Sequence, residues 1–171
     1  TFASDETIIY AAQKGFGLML SQGVDLEECV RVSDLYESIA GIKPEIVLLR
    51  TFYVSECHAS ACVNARPMID HFAKSMRAAS AFNKSPYFNR RHYEKLIAER
   101  NTFFDGEKFF ECGIIGDSKA CIKKIKTIQK ALCNVTIALK PLGADLFENV
   151  DLLRKFNETV RPYCEVTKEV V

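Results

Sequence analysis

The chain has no excess of either charge: 23 Lys and Arg stand against 22 Asp and Glu, a formal net charge of +1 over 171 residues. A nucleic-acid partner calls for a basic surface and an extended solvating tail for a run of one sign, so neither is expected. No apolar run approaches the length of a membrane span, and no charged stretch followed by an apolar core marks a secretory leader. The reading is a cytoplasmic protein with no membrane partner. The seven cysteines (Cys29, Cys57, Cys62, Cys112, Cys121, Cys133 and Cys164) are odd in number and form no CxxC pair. Five replace small apolar residues within helical or strand patterns, as reduced thiols do, so a secreted disulfide scaffold is disfavoured. The sequons Asn134-Val135-Thr136 and Asn157-Glu158-Thr159 occur at the frequency chance allows and are discounted without a leader.

Several signatures of chemistry are missing as well. GIIGDSKACI is a glycine-bearing turn into a helix, but it lacks the spacing of a dinucleotide or P-loop fingerprint, and helix capping accounts for it locally. No nucleophile elbow, Ser-His-Asp order or paired carboxylates stand out. In ECHASAC, His58 and Cys62 share a helix face with Cys57 nearby, yet a zinc site needs further ligands and His71 is too distant to supply one, so no metal site is expected. The basic and aromatic stretch NKSPYFNRRHYEK reads as a surface excursion. The lysines Lys119, Lys123, Lys124, Lys126 and Lys130 read as the solvated face of one helix.

What is present is an ordinary globular composition, 48% hydrophobic and 26% charged, enough for one core and one region spanning residues 1–171. Apolar runs of strand type alternate with helical periodicity. Thr1 to Ala3 end a strand, Ser4 caps a helix whose apolar face of Ile8, Ile9, Ala11, Ala12 and Phe16 stops near Gly15 and Gly17, and Leu18 to Leu20 form a second strand. Asp25 caps a helix to Gly41, and EIVLLRTFYV is a strand apolar enough to be buried on both faces. A helix from His58 to Ala79 follows, then a helical piece from His92 to Arg100 and a Phe-rich connector, FFDGEKFFEC. Ile114 and Ile115 make a short strand, Asp117 or Ser118 caps the next helix, VTIAL is a strand, and the last helix runs from Leu146 to Val160. This alternation argues for βαβ units and a parallel sheet. Within it, ASDET is either a plain helix cap or a phosphate turn. Ser4 and Thr7 place hydroxyls one turn apart at a helix N-terminus, whereas Asp5 and Glu6 favour the cap.

Taken in order, AS-x-ET before YAAQKGFGLMLS, then PEIVLLRTFYV, GIIGDSKACIKKI, and VTIALKPLG leading to a helix ending in VRP, resemble the C-terminal half of the bacterial luciferase-like, flavin-dependent monooxygenase family. That family has a (β/α)8 TIM-type barrel. The chain resembles units five to eight, with parallel strands, flanking helices and residues 81–111 as the insertion before the seventh helix. A complete barrel runs to about 250 residues, so the resemblance implies that the first four units lie outside this sequence.

The implied activity is that of an oxidoreductase using reduced FMN and oxygen to oxidise a small organic substrate, with the deazaflavin F420 as the other cofactor compatible with this half. By position, the resemblance implies that Ala3 and Ser4 offer backbone amides and Thr7 a hydroxyl to the flavin phosphate, while Met19 and Ser21 lie near the isoalloxazine ring. The family's catalytic base falls in the absent half, so no catalytic residue is assigned. Asp5 stands where many members carry Pro, Ala or Ser, and Asp117-Ser118 where Thr-Pro is frequent. A separate flavin reductase and homo-oligomerisation of the full-length protein are further implications. The alternative is a non-catalytic flavin-binding or interaction protein derived from the same fold. Alone, the chain is expected to be inactive, to self-associate or order only beside a partner, and to bind FMN poorly.

Overall fold

The computed structural model describes residues 4–81 and 105–164. Each helix that flanks the sheet begins where a short polar side chain satisfies first-turn amides. Ser4 accepts from Thr7 N at α1 (Asp5–Lys14), and Asp25 accepts from Glu28 N at α2 (Leu26–Ala40). Asp117 accepts from Ala120 N at α5 (Ser118–Ala131), and Asp145 from Glu148 N at α6 (Leu146–Thr159). Such a cap is worth about 1 kcal/mol and fixes the first residue of its helix. Gly15 and Gly41 end α1 and α2 in the left-handed region, at φ 69° and 72°, which a Cβ would disfavour.

Between the helices run β1 (Leu18–Leu20), β2 (Ile46–Ser55), β3 (Ile114–Asp117) and β4 (Val135–Pro141), all parallel. The long β2 is the axis. Ile46 to Phe52 pair with Val135 to Pro141 of β4 on one edge. The other edge is shared: Leu18 to Leu20 take its first part and Ile114 to Asp117 its last. The row across the sheet is therefore β1, β2, β4, and β3 extends the β1 edge instead of occupying a place of its own.

Over the first rows of the sheet the described helices pack on one face. Leu18, Leu20, Ile46 and Leu48 meet Ile8, Ala11 and Ala12 of α1, Cys29 and Val32 of α2, and Ile128 of α5 in one apolar cluster. Each fully buried side chain of this kind contributes about 1.5–3 kcal/mol of transfer free energy. A second cluster, around Phe52, Val54, Ile114 and Phe156, is closed by α3 (His58–Ala81) and α4 (Gly106–Cys112). The residues of α3 in it, Ala61, Ala65, Ile69 and Ala73, recur every four positions, a ridge of mostly small side chains that permits close approach.

The opposite face is open over its first rows. Met19, Val47 and Thr136 lie side by side in register, and Leu49 pairs with Ala138. Met19 is 55% exposed, Thr136 is exposed, and Val47, Leu49 and Ala138 are half-buried. Higher up, α3 reaches over this side, with Lys140 Nζ 3.9 Å from the ring centre of Phe72.

Two expectations need correction. FFDGEKFFEC is not a plain connector: Asp105 caps a helix from Gly106 to Cys112 that buries Phe109. Nor is EIVLLRTFYV buried equally on both faces, since Ile46 and Leu48 are buried while Val47 and Leu49 are half-buried. The helix starting at His58 runs to Ala81. All seven cysteines are free thiols. The expected strand at Thr1 to Ala3, the helical piece from His92 to Arg100 and most of the 81–111 insertion lie outside the described residues.

Candidate functional site

The C-terminal ends of parallel strands, with the helix N-termini that follow them, form the rim where α/β proteins collect function. At one end of this rim the structure brings Ser4 and Thr7 together, their hydroxyl oxygens 2.9 Å apart. Ser4 Oγ also accepts from Thr7 N at 3.4 Å, a long bond that leaves the hydroxyl free to re-aim. The amides of Asp5 and Glu6, in the first turn, have no intrahelical acceptor. Ala3 lies outside the described residues.

The acids beside this turn are the obstacle to an anion, and the structure deals with one of them. Asp5 Oδ1 accepts from Arg31 Nη1 of α2 at 2.9 Å. Arg31 also holds Glu28 through Nε at 2.7 Å, and these two carboxylates push its pKa up. Because both Asp5 and Arg31 are largely exposed, the pair contributes little to stability. Its consequence is that the Asp5 charge is directed toward α2. Glu6 remains exposed.

Met19 and Ser21 stand on and just after β1. Met19 belongs to the open face, beside Val47. Ser21 is half-buried, and its carbonyl accepts from Arg50 Nη1 at 3.3 Å and from Val24 N at 3.1 Å. The turn after β1 is thereby pinned to β2.

Two roles at the rim escaped sequence reading, which weighs Cys57 only beside a metal site. Tyr53, near the end of β2, donates to Glu148 Oε1 at 2.6 Å, and Glu148 Oε2 accepts from Ala144 N at 2.7 Å. Burial first, then the neighbouring carboxylate, raises the Tyr53 pKa. The second feature is Cys57, which caps α3: Ser60 N donates to its Sγ at 3.4 Å and the Ser60 hydroxyl lies 3.0 Å away. These bonds favour the thiolate and lower its pKa. The only sequence signal was position, a cysteine just before a helix and three residues ahead of a serine. His58 Nε2 lies 3.5 Å from Cys62 Sγ. Among the described residues no group of His, Cys, Asp or Glu is placed to hold a metal ion, and no helix is long and apolar enough to cross a membrane.

No protein-family model matches the chain, and no curated protein matches it by sequence. Solved structures do match in fold. The monooxygenase RslO1 from Streptomyces bottropensis superposes with a TM-score of 0.61 at 21% identity, covering 95% of this chain and 46% of that one. The coenzyme F420 dependent tetrahydromethanopterin reductase from Methanopyrus kandleri gives 0.57 at 14% identity, with 95% and 49% covered. The chain thus spans about half the length of the structures it resembles and shares their α/β fold of parallel strands and helices. Both are oxidoreductases by name.

Proposed function

We propose that the chain is the C-terminal half, units five to eight, of a (β/α)8 barrel and serves a flavin-dependent oxidoreductase of the luciferase-like kind. The observation that carries this reading is the one-sided cover of the sheet. A sheet whose first rows the described helices cover on one face only, with Met19, Val47, Leu49 and Ala138 exposed or half-buried on the other, fits an arc whose inner surface packs against further strands. The first and last helical regions agree: Tyr10 and Phe16 at one end, and Leu146, Phe147, Val150 and Leu153 of α6 at the other, are exposed. The fold-level likeness to two oxidoreductases about twice as long supports the same reading.

Within it, the Ser4 and Thr7 hydroxyls and the first-turn amides of α1 hold the phosphate of FMN, with the positive end of the helix dipole adding to the attraction. The fit is supported by the 2.9 Å approach of the two hydroxyls and by the diversion of Asp5 to Arg31. Met19 supplies an apolar surface to the ring from the open face, and Ser21, pinned through Arg50, fixes the edge of that surface. When bound, the flavin supplies the redox chemistry by which an organic substrate is oxidised. This half contributes binding, orientation and exclusion of water, while the acid–base groups belong to the half beyond it. F420 occupies the same place in a hydride-transferring variant of this reading. A separate reductase delivering reduced flavin, and a homo-oligomer of the whole barrel, belong to the same proposal.

The test is anaerobic fluorescence titration of the complete open reading frame's product with reduced FMN, reduced F420 and riboflavin. A charge-assisted hydrogen bond is worth about 1.5–3 kcal/mol, so Thr7→Ala should weaken FMN about ten- to hundredfold. Riboflavin, which has no phosphate, should be unaffected. Equal losses for FMN and riboflavin would remove the phosphate role, and failure to bind any of the three would remove the flavin reading.

A further inference from the structure

On the helix side of the sheet, away from the open face, a cavity of about 420 Å³ lies between α2, α4 and α5. Its size is that of a small-molecule site. Arg50 of β2 lines it while being only 2% exposed. The guanidinium donates to three carbonyls, those of Ser21, Leu49 and Val24. Among the described residues no carboxylate lies within ion-pair distance of it, and its Nε–H, buried, has no acceptor. A buried cation without a counter-charge is costly.

A second cation sits in the same wall. Lys124 donates to the Glu111 carbonyl, and burial, together with the Arg50 charge, lowers the pKa of its ammonium. Two acids also line the cavity: Asp25, which caps α2 through Oδ1, and the exposed Glu111. The apolar part of the wall comes from Leu26, Ala120 and Ile128, and the exposed Lys123 and Thr127 complete the lining beside Cys112. Arg50 and Lys124, which disfavour one another and the first of which keeps an unused donor, stand with the exposed Lys123 beside a hydrocarbon wall and call for an anion attached to an alkyl body.

We propose that this cavity binds a small amphipathic carboxylate, its anionic group meeting Arg50 and Lys124 and its hydrocarbon chain lying against Leu26, Ala120 and Ile128. The site is separate from the proposed flavin surface and stands whether or not flavin binds. Cys112 lines the cavity and reports on it, whereas Cys57 is at the distant rim and serves as the internal reference.

The experiment measures alkylation of each cysteine by mass spectrometry in the complete chain, with octanoate, 1-octanol or inorganic phosphate present. Saturating octanoate should slow Cys112 at least tenfold and leave Cys57 unchanged, and octanol and phosphate should each protect far less. Lys124→Gln and the exposed Thr127→Leu, which narrows the mouth, should each weaken octanoate protection at least fivefold without altering the circular dichroism spectrum. Equal protection by octanol or by phosphate, slowing of Cys57 in parallel, or no protection at all overturns the proposal.

Discussion

Tyr53→Phe removes one oxygen from the rim, and its effect follows from the bonds that oxygen makes. The phenol donates to Glu148 at 2.6 Å, and Glu148 keeps its second contact, from Ala144 N, at 2.7 Å when the phenol is gone. A bond to a charged acceptor is worth about 1.5–3 kcal/mol, and the lower end applies because Glu148 is half-buried and water can replace the lost donor. A loss of about 1.5 kcal/mol lowers Tm by roughly 3–6 °C for a chain of this size. The assay is urea unfolding by far-UV circular dichroism of the wild type, Tyr53→Phe, Glu148→Ala and the double variant at one protein concentration, so that any association enters each comparison alike. The coupling energy should be about 1–1.5 kcal/mol. A value below about 0.3–0.5 kcal/mol is that of independent sites and would refute the latch. The pH dependence gives a second check. The folded pKa of Tyr53 is raised above its ordinary value of 10.0, by burial and then by Glu148. Its contribution is therefore complete below that value and is lost as pH rises through the folded pKa. The wild type should weaken on this alkaline limb more steeply than Tyr53→Phe.

The remaining predictions concern the backbone and the thiols. At Gly116, with φ at 153°, an added Cβ would stand 2.9 Å from both Ala120 Cβ and His58 Nδ1, so Gly116→Ala should cost about 2–3 kcal/mol in the same unfolding assay. At Gly15 an added Cβ meets nothing within 4 Å, so Gly15→Ala should cost only the left-handed penalty of about 1–2 kcal/mol. Equal costs would contradict the crowding around β3. Cys57, exposed with a lowered pKa, should alkylate faster than Cys29 and Cys121, which burial pushes up to about 11 and about 12. Ser60→Ala should slow Cys57 alone, and mass spectrometry of time-quenched samples reads both effects.

What the sequence disclosed about the fold was local. Ser4, Asp25 and Asp117 each start a helix by chemistry confined to a few residues, and Gly15 and Gly41 stop two of them by their backbone alone. Asp105 offered the same signal for α4, but seven residues rich in Phe gave too short a period to be read as a helix. The position of β3 was not legible. Its pairing with Phe52 to Ser55 joins residues some sixty positions apart, and nothing within IIGD indicates which edge it takes. The length of β2 was the available hint, because β1 has three residues and β2 ten. At the candidate site, the Ser4 to Thr7 contact followed from helical spacing, whereas the Arg31 to Asp5 bond depends on how two helices pack.

The faces of β2 show why the rest could not be read in advance. Alternating apolar and polar residues tell which side of a strand is buried, but IVLLRTFYV is apolar at nearly every position and carries no such alternation. The pairing of Met19 with Val47 places Leu18 and Leu20 under the helices and Met19 on the open side. A slip of one residue would reverse all three. Arg50 breaks the ambiguity. A guanidinium in a buried strand must find acceptors, and the carbonyls of Ser21 and Val24 lie on the helix side, where Ile46 and Leu48 also point. Its charge therefore orients the strand, which leaves Val47 and Leu49 for the open surface. That one residue both pins the turn beneath the proposed ring surface and leaves an unused donor beside the cavity behind it, so the two sites share a strand but not a face.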